Sequence, residues 1–163
     1  MPSQNITDPA LGDVGLALLQ RGYPSKRVLI MVIEAGAYPE HRRITVVDGR
    51  GRTAQHSVSN DLGRNAVASR RLCIAAGNSL KHEEVPAAMI ATFEADPGAE
   101  LAERLLLALE AGKKSGGEEG AVRSTGLKVV EDFVWPTVDL RVDWHDKPIQ
   151  ELRAPSYGVP NDP

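Results

Sequence analysis

Cysteine is all but absent from this chain: Cys73 is the only one. A single thiol excludes an intramolecular disulfide and any multi-cysteine metal site. Its neighbours Leu72, Ile74, Ala75 and Ala76 are apolar, the setting of a buried, inert thiol rather than a nucleophile. Aromatic residues are almost as scarce, at 4%, so the core has to be aliphatic. No apolar run approaches the roughly 20 residues of a membrane-spanning helix. The opening Met1-Pro2-Ser3-Gln4-Asn5 lacks the basic and apolar regions of a secretory signal, and a cytoplasmic setting is the expectation. A large excess of one charge is missing too. A net charge of −3 and a pI near 5.8 argue against a general nucleic-acid or membrane-surface binder.

What is present is an ordinary globular composition, 42% hydrophobic and 25% charged over 163 residues, the size of one domain. One domain over 1–153 and a polar, proline-rich, unstructured tail over 154–163 are expected. The most informative stretch is EHRRITVVDGRGRTAQHS at 40–57. Two β-branched runs, Ile44 to Val47 and Thr53 to Val58, flank an Asp48-Gly49 turn, a strong hairpin signal.

Upstream, Asp13 to Arg21 has helical spacing and stops at Gly22. The run that starts after Ser25, a candidate N-cap, reads equally as helix or buried strand because of its β-branched residues. Downstream, Asn60 to Ser69 has no period and reads as a loop, and Arg71 to Ala76 as a strand closed by a Gly77-Asn78 turn. Glu83 to Ala95 and Glu100 to Ala111 read as helices, the second capped by Gly112 and carrying an interior stripe over Leu105 to Leu109. Lys113 to Gly120 is glycine- and charge-rich and expected to be mobile. Strands follow over Thr125 to Val130 and Thr137 to Val142. The order points to an α+β or layered arrangement, with helices covering a sheet.

The residues that bear chemistry are few. His56 and Ser57 are adjacent on a strand and point to opposite faces, so they do not form a nucleophile–base pair through adjacency. Asn78 is a turn residue or an amide aimed at a developing oxyanion. Ser124 follows the glycine-rich loop without a placed base. Arg42 and Arg123 are the candidate carboxylate binders, since a guanidinium fork suits that group. Asp143, His145 and Asp146 match no metal-ligand spacing and read as solvated strand charge. Gly116-Gly117 precedes Glu118-Glu119, and acids repel phosphate, so no nucleotide loop is indicated. No metal or other cofactor is expected.

The 40–57 block, AAGN at 75–78, LAERLLLALEAG at 101–112 with GG at 116–117, and VDLRVDWHDKPIQELR at 138–153 resemble, in the same order, a bacterial family known as domain of unknown function 1028. The resemblance covers roughly residues 8 to 153. It implies an αββα N-terminal-nucleophile-hydrolase-like sandwich and an amide-bond hydrolase. In such an enzyme an N-terminal Thr, Ser or Cys attacks while its own α-amino group serves as base.

The departure from the family pattern carries as much weight. Members open with a Thr-Phe-Ser strand and a second strand ending in a Gln-Ser-Lys-like segment, and nothing here corresponds to either. This chain enters the pattern at Ser3-Gln4, with Asp8-Pro9 and Gly12 where Asn-Pro and Gly are usual, and has Arg123-Ser124 where a Gln-Ser pair is usual. Removing Met1 exposes Pro2, which is no hydroxyl nucleophile. The expected fold is therefore the sandwich lacking the first two strands, with the nucleophile lacking as well.

Three functional readings stay open. The first is hydrolase ancestry without a nucleophile in this chain, including one part of a split amidohydrolase. The second is an active amidohydrolase on a small-molecule amide, using His56, Asn78 and Ser124. The third is a non-catalytic binding or structural protein. An unpaired sheet edge also predicts self-association.

Overall fold

The computed structural model describes residues 8–57, 63–133 and 135–153, together with the backbone of 3–5. The expected tail at 154–163, and Val58 at the end of the expected hairpin strand, lie outside these residues. The fold is α+β, with five helices and three small antiparallel sheets among the described residues.

Strand β1 (Ser3–Asn5) is followed by helices α1 (Pro9–Gln20) and α2 (Ser25–Ala35). The carboxylate of Asp8 accepts a hydrogen bond from the Ala10 amide (3.1 Å) and Pro9 opens the helix, so α1 begins a turn before the expected Asp13. Val28, Leu29 and Val32 are buried in α2, a helical rather than alternating spacing, so helix wins the ambiguity left by the β-branched run. Ser25 is the first helical residue rather than the cap. The buried Asp48 carboxylate supplies the cap from outside, accepting the Ser25 amide at 2.9 Å.

Strands β2 (Arg42–Val47) and β3 (Thr53–His56) form the expected hairpin, with Val47 opposite Thr53. The turn differs in detail. Its left-handed residue is Gly51 (φ 74°), not Gly49, and Gly51 donates to the Asp48 carbonyl at 2.8 Å. The loop is thus the three-residue kind closed by a glycine bulge. Ile44 and Val46 point into an aliphatic core with Leu11, Leu18, Val28 and Val32. Burying each such side chain is worth roughly 1.5–3 kcal/mol.

The span read as a loop contains strand β4 (Ala66–Arg70), paired with β5 (Cys73–Gly77) across an Arg71-Leu72 turn. Small, half-buried alanines gave β4 no visible period. Helix α3 (Val85–Ala95) packs against α4 (Leu101–Lys114). Gly112 does not cap α4. It lies inside the helix, where an added Cβ would come within 2.9 Å of the Met89 side chain. Its role is close helix approach, and the helix runs on to a Ser115 cap.

The segment expected to be mobile is tied down by main-chain bonds. Lys81 donates to Gly117 (3.0 Å) and Glu119 to Ser79 (2.8 Å), with left-handed Gly116 and Gly117 making the turn. Strands β6 (Thr125–Val130) and β7 (Pro136–Val142) form the last hairpin. Helix α5 (Pro148–Arg153) covers it together with α4, around Leu106, Leu127, Val129, Ile149 and Leu152. Arg153 fixes α5 to α4 through Glu110 (2.8 Å) and Glu103 (3.2 Å). Those two carboxylates, Glu110 foremost, hold its guanidinium above its ordinary pKa against the opposing effect of burial.

Candidate functional site

A cavity of about 770 Å³ lies between β2, β5, β6 and the α3–α4 pair. Which residues of each element line it fixes its shape. β2 contributes every second residue, Arg43, Thr45 and Val47, and so presents a face. Helices α3 and α4 contribute Met89, Ile90, Phe93, Leu105, Ala108 and Leu109, their inner apolar faces. β5 and β6 contribute consecutive residues, Cys73 to Ala76 and Gly126 to Lys128, and so present their edges. Among the described residues β5 pairs with β4 and β6 with β7, and neither has a second strand neighbour. The cavity is therefore a slot, floored and roofed by side-chain faces and walled at its sides by strand edges.

The lining is almost wholly hydrocarbon. Among the described residues that line it, Arg43, Thr45, Lys128 and Cys73 are the only other side chains, and none is a carboxylate or an imidazole. Arg43 is 1% exposed. Its guanidinium donates to the Gly77 carbonyl and to Asn65 Oδ1 (2.6 Å), joining the β2 layer to the end of β5. Burial, and then the Glu94 carboxylate, push the Cys73 thiol above its ordinary pKa, so it stays protonated near neutrality. Lys128 pairs with Asp139 at 3.1 Å.

The candidates from the sequence sit on separate elements. His56 is half-buried at the end of β3, its Nε2 donating to the Pro39 carbonyl at 3.0 Å. Asn78 is half-buried in the turn after β5, and Ser124 is exposed just before β6. None of the three lines the slot, and no hydrogen bond joins any two of them. Arg42 is buried on the core side of β2, 3.7 Å from Asp8. Arg123 pairs with Asp146 and lies 5.6 Å over the exposed Trp144 ring. Asp143 pairs with Arg141 and His145 Nδ1 accepts the Lys147 amide (3.1 Å), so the acidic exit of β7 is spoken for. No three metal-ligating side chains converge among the described residues, and none of their helices is long and apolar enough to cross a membrane.

A family model described as "Family of unknown function (DUF1028)" matches residues 1–152. The chain belongs to the DUF1028 family. A solved DUF1028 structure, protein SPO2555 from Silicibacter pomeroyi, is 27% identical to this chain and superposes with a TM-score of 0.82 over 93% of it. The match covers 65% of that relative, so the present chain spans somewhat less than two thirds of its length. No curated protein matches.

Arg43 is the site residue that sequence reading missed. The arginine pair is visible in the sequence, but the expectation of carboxylate binding falls on Arg42. Strand alternation carried the signal: if one arginine faces the helices, its neighbour must face the opposite side.

Proposed function

We propose that residues 1–163 form a hydrolase-like domain with ancestry in C–N (amide) bond hydrolysis, on the αββα plan of the N-terminal-nucleophile hydrolases. In this reading the first two strands of that plan, and the nucleophile they carry, are not among residues 1–163. The observation that carries it is the slot. Among the described residues no strand lies between β5 and β6 where the slot separates them, beneath α3–α4 and above the β2 face. The partial coverage of SPO2555 supports the same reading.

The chemistry of the lining agrees. A nucleophile needs a base within hydrogen-bond reach and donors for the developing oxyanion. Among the described residues the slot offers Thr45 and Cys73 but no base for either. The rival set, His56, Asn78 and Ser124 with Arg42 and Arg123 as carboxylate binders, would have to act from four different elements.

Assay of purified 1–163 against simple amides, ureido compounds and lactams tests this. No turnover is expected. Hydrolysis abolished by Ser124→Ala or His56→Ala in a folded protein would overturn it, and would favour the internal-residue enzyme.

A further inference from the structure

We infer that the Phe133–Trp135 tip of the β6–β7 hairpin plugs the slot of a second copy of this chain, giving a two-fold dimer by reciprocal insertion. The inference goes beyond the proposed function and needs no free strand edge. The chain holds two phenylalanines and two tryptophans, and three of these four are exposed: Phe133 58%, Trp135 60% and Trp144 77%. Phe133 and Trp135 stack in the loop between β6 and β7, their planes within 3° and their centroids 4.9 Å apart. Large aromatic side chains left together on a surface mark a contact site. Held parallel by each other, the two rings form a wedge that loses little conformational freedom on insertion.

The slot is the concavity that this wedge fits. Its roof carries Phe93 and Met89, groups that pack well on aromatic rings. About 770 Å³ is room for a guest of drug size, and so for two rings. Leu72 and Leu101 line it yet are 60% and 45% exposed, so they form an apolar lip open to solvent. The charges match as well. Among the described residues the charged side chains of the lining are cationic, Arg43 and Lys128, whereas the tip carries Glu131 and Asp132, both exposed. Lys128 and its partner Asp139 are themselves exposed, a pair of the kind that changes partner at little cost.

Tip and slot also lie side by side. Lys128 borders the slot and Glu131 opens the tip loop, so about 10 Å of strand separates them. A donor and an acceptor this close on one hairpin let two copies exchange tips across one two-fold axis, a closed, isologous contact. A slot on the far side of the molecule would instead give an open chain of copies.

Light scattering of 1–163 at tens of micromolar is expected to give a dimer. Phe133→Ser combined with Trp135→Ser, or Leu101→Asp alone, should weaken dimerisation by about thirtyfold or more, the loss typical of an interface hot spot. These side chains are exposed, so circular dichroism should stay that of the parent. Mixing the two variants leaves one intact tip facing one intact slot, and a heterodimer weaker than the parent dimer should return. In Trp144→Phe protein Trp135 is the one tryptophan, and its emission should move to the blue as the dimer forms.

A monomeric parent, or a dimer that survives loss of the tip aromatics, would overturn the inference. So would a mixture that does not pair, or Trp135 emission that stays that of water-exposed indole. No outcome depends on amide hydrolysis, so this inference and the proposed function fail separately.

Discussion

The Arg43 guanidinium donates to the Gly77 carbonyl, across the boundary between the sheet that holds β2 and the hairpin that holds β5. The same fork reaches Asn65 Oδ1 at 2.6 Å. Two acceptors on different segments are thus fixed by one buried cation, which sets the height of β5 over the β2 face and defines one end of the slot.

Arg43→Met should accordingly lose about 2–4 kcal/mol, because hydrogen bonds to a charged group disappear and buried acceptors are stranded. Arg43→Lys should rescue little of this, since an ammonium lacks the planar fork that spans both acceptors. Urea unfolding measures both. A lysine variant within about 0.5 kcal/mol of the parent would show that the fork is not what joins the layers.

Leu106 and Leu101 lie on the same helix with opposite expectations, being 1% and 45% exposed. Leu106→Asp should cost about 3 kcal/mol or more, since it places a charge among Leu127, Val129 and Leu152. Leu101→Asp should cost under about 1 kcal/mol. Equal melting temperatures for the two variants would contradict the packing of α4 on the β6–β7 hairpin.

Asp48 accepts the Ser25, Arg50 and Arg52 amides and the Arg52 guanidinium. Burial opposes its charge, but these bonds prevail and hold the carboxyl well below its ordinary value of 3.8. A group depressed on folding contributes its stability above the unfolded pKa and loses it as pH falls toward the folded one. The gap in urea midpoint between the parent and Asp48→Asn should therefore be widest near pH 7 and narrow below about pH 4. A gap independent of pH would argue that Asp48 acts by shape alone.

Leu72 has φ 76° at the second turn position between β4 and β5, a place that favours glycine. Leu72→Gly should stabilise the chain by about 1 kcal/mol through relief of that conformation. Destabilisation would show that packing of Leu72 against Gly51 outweighs the strain.

Local features were legible in the sequence and relational ones were not. The leucines of 101–109 could only be a helix face, and the β2–β3 hairpin stood out by its β-branched runs. α2 stayed ambiguous because Val28, Ile30 and Val32 suit either state, and only the burial of 28, 29 and 32 decides it. β4 was missed because Ala66, Ala68 and Ser69 give no contrast between faces, and Gly112 was misread because its partner Met89 is 23 positions away. The slot is harder still. It is bounded by strands that lie far apart in the sequence and that have no common strand neighbour among the described residues, and no periodicity encodes that.

Amide exchange by residue on isolated 1–163 tests most directly whether the β5 and β6 edges that line the slot are open. β2, paired on both sides by β1 and β3, should exchange slowly throughout. In contrast, the amides of Cys73 to Ala75 and Gly126 to Lys128 that are not bonded to β4 or β7 should exchange orders of magnitude faster. Uniformly slow exchange along all three strands, in a protein shown to be monomeric, would mean that the slot is closed and would contradict the account.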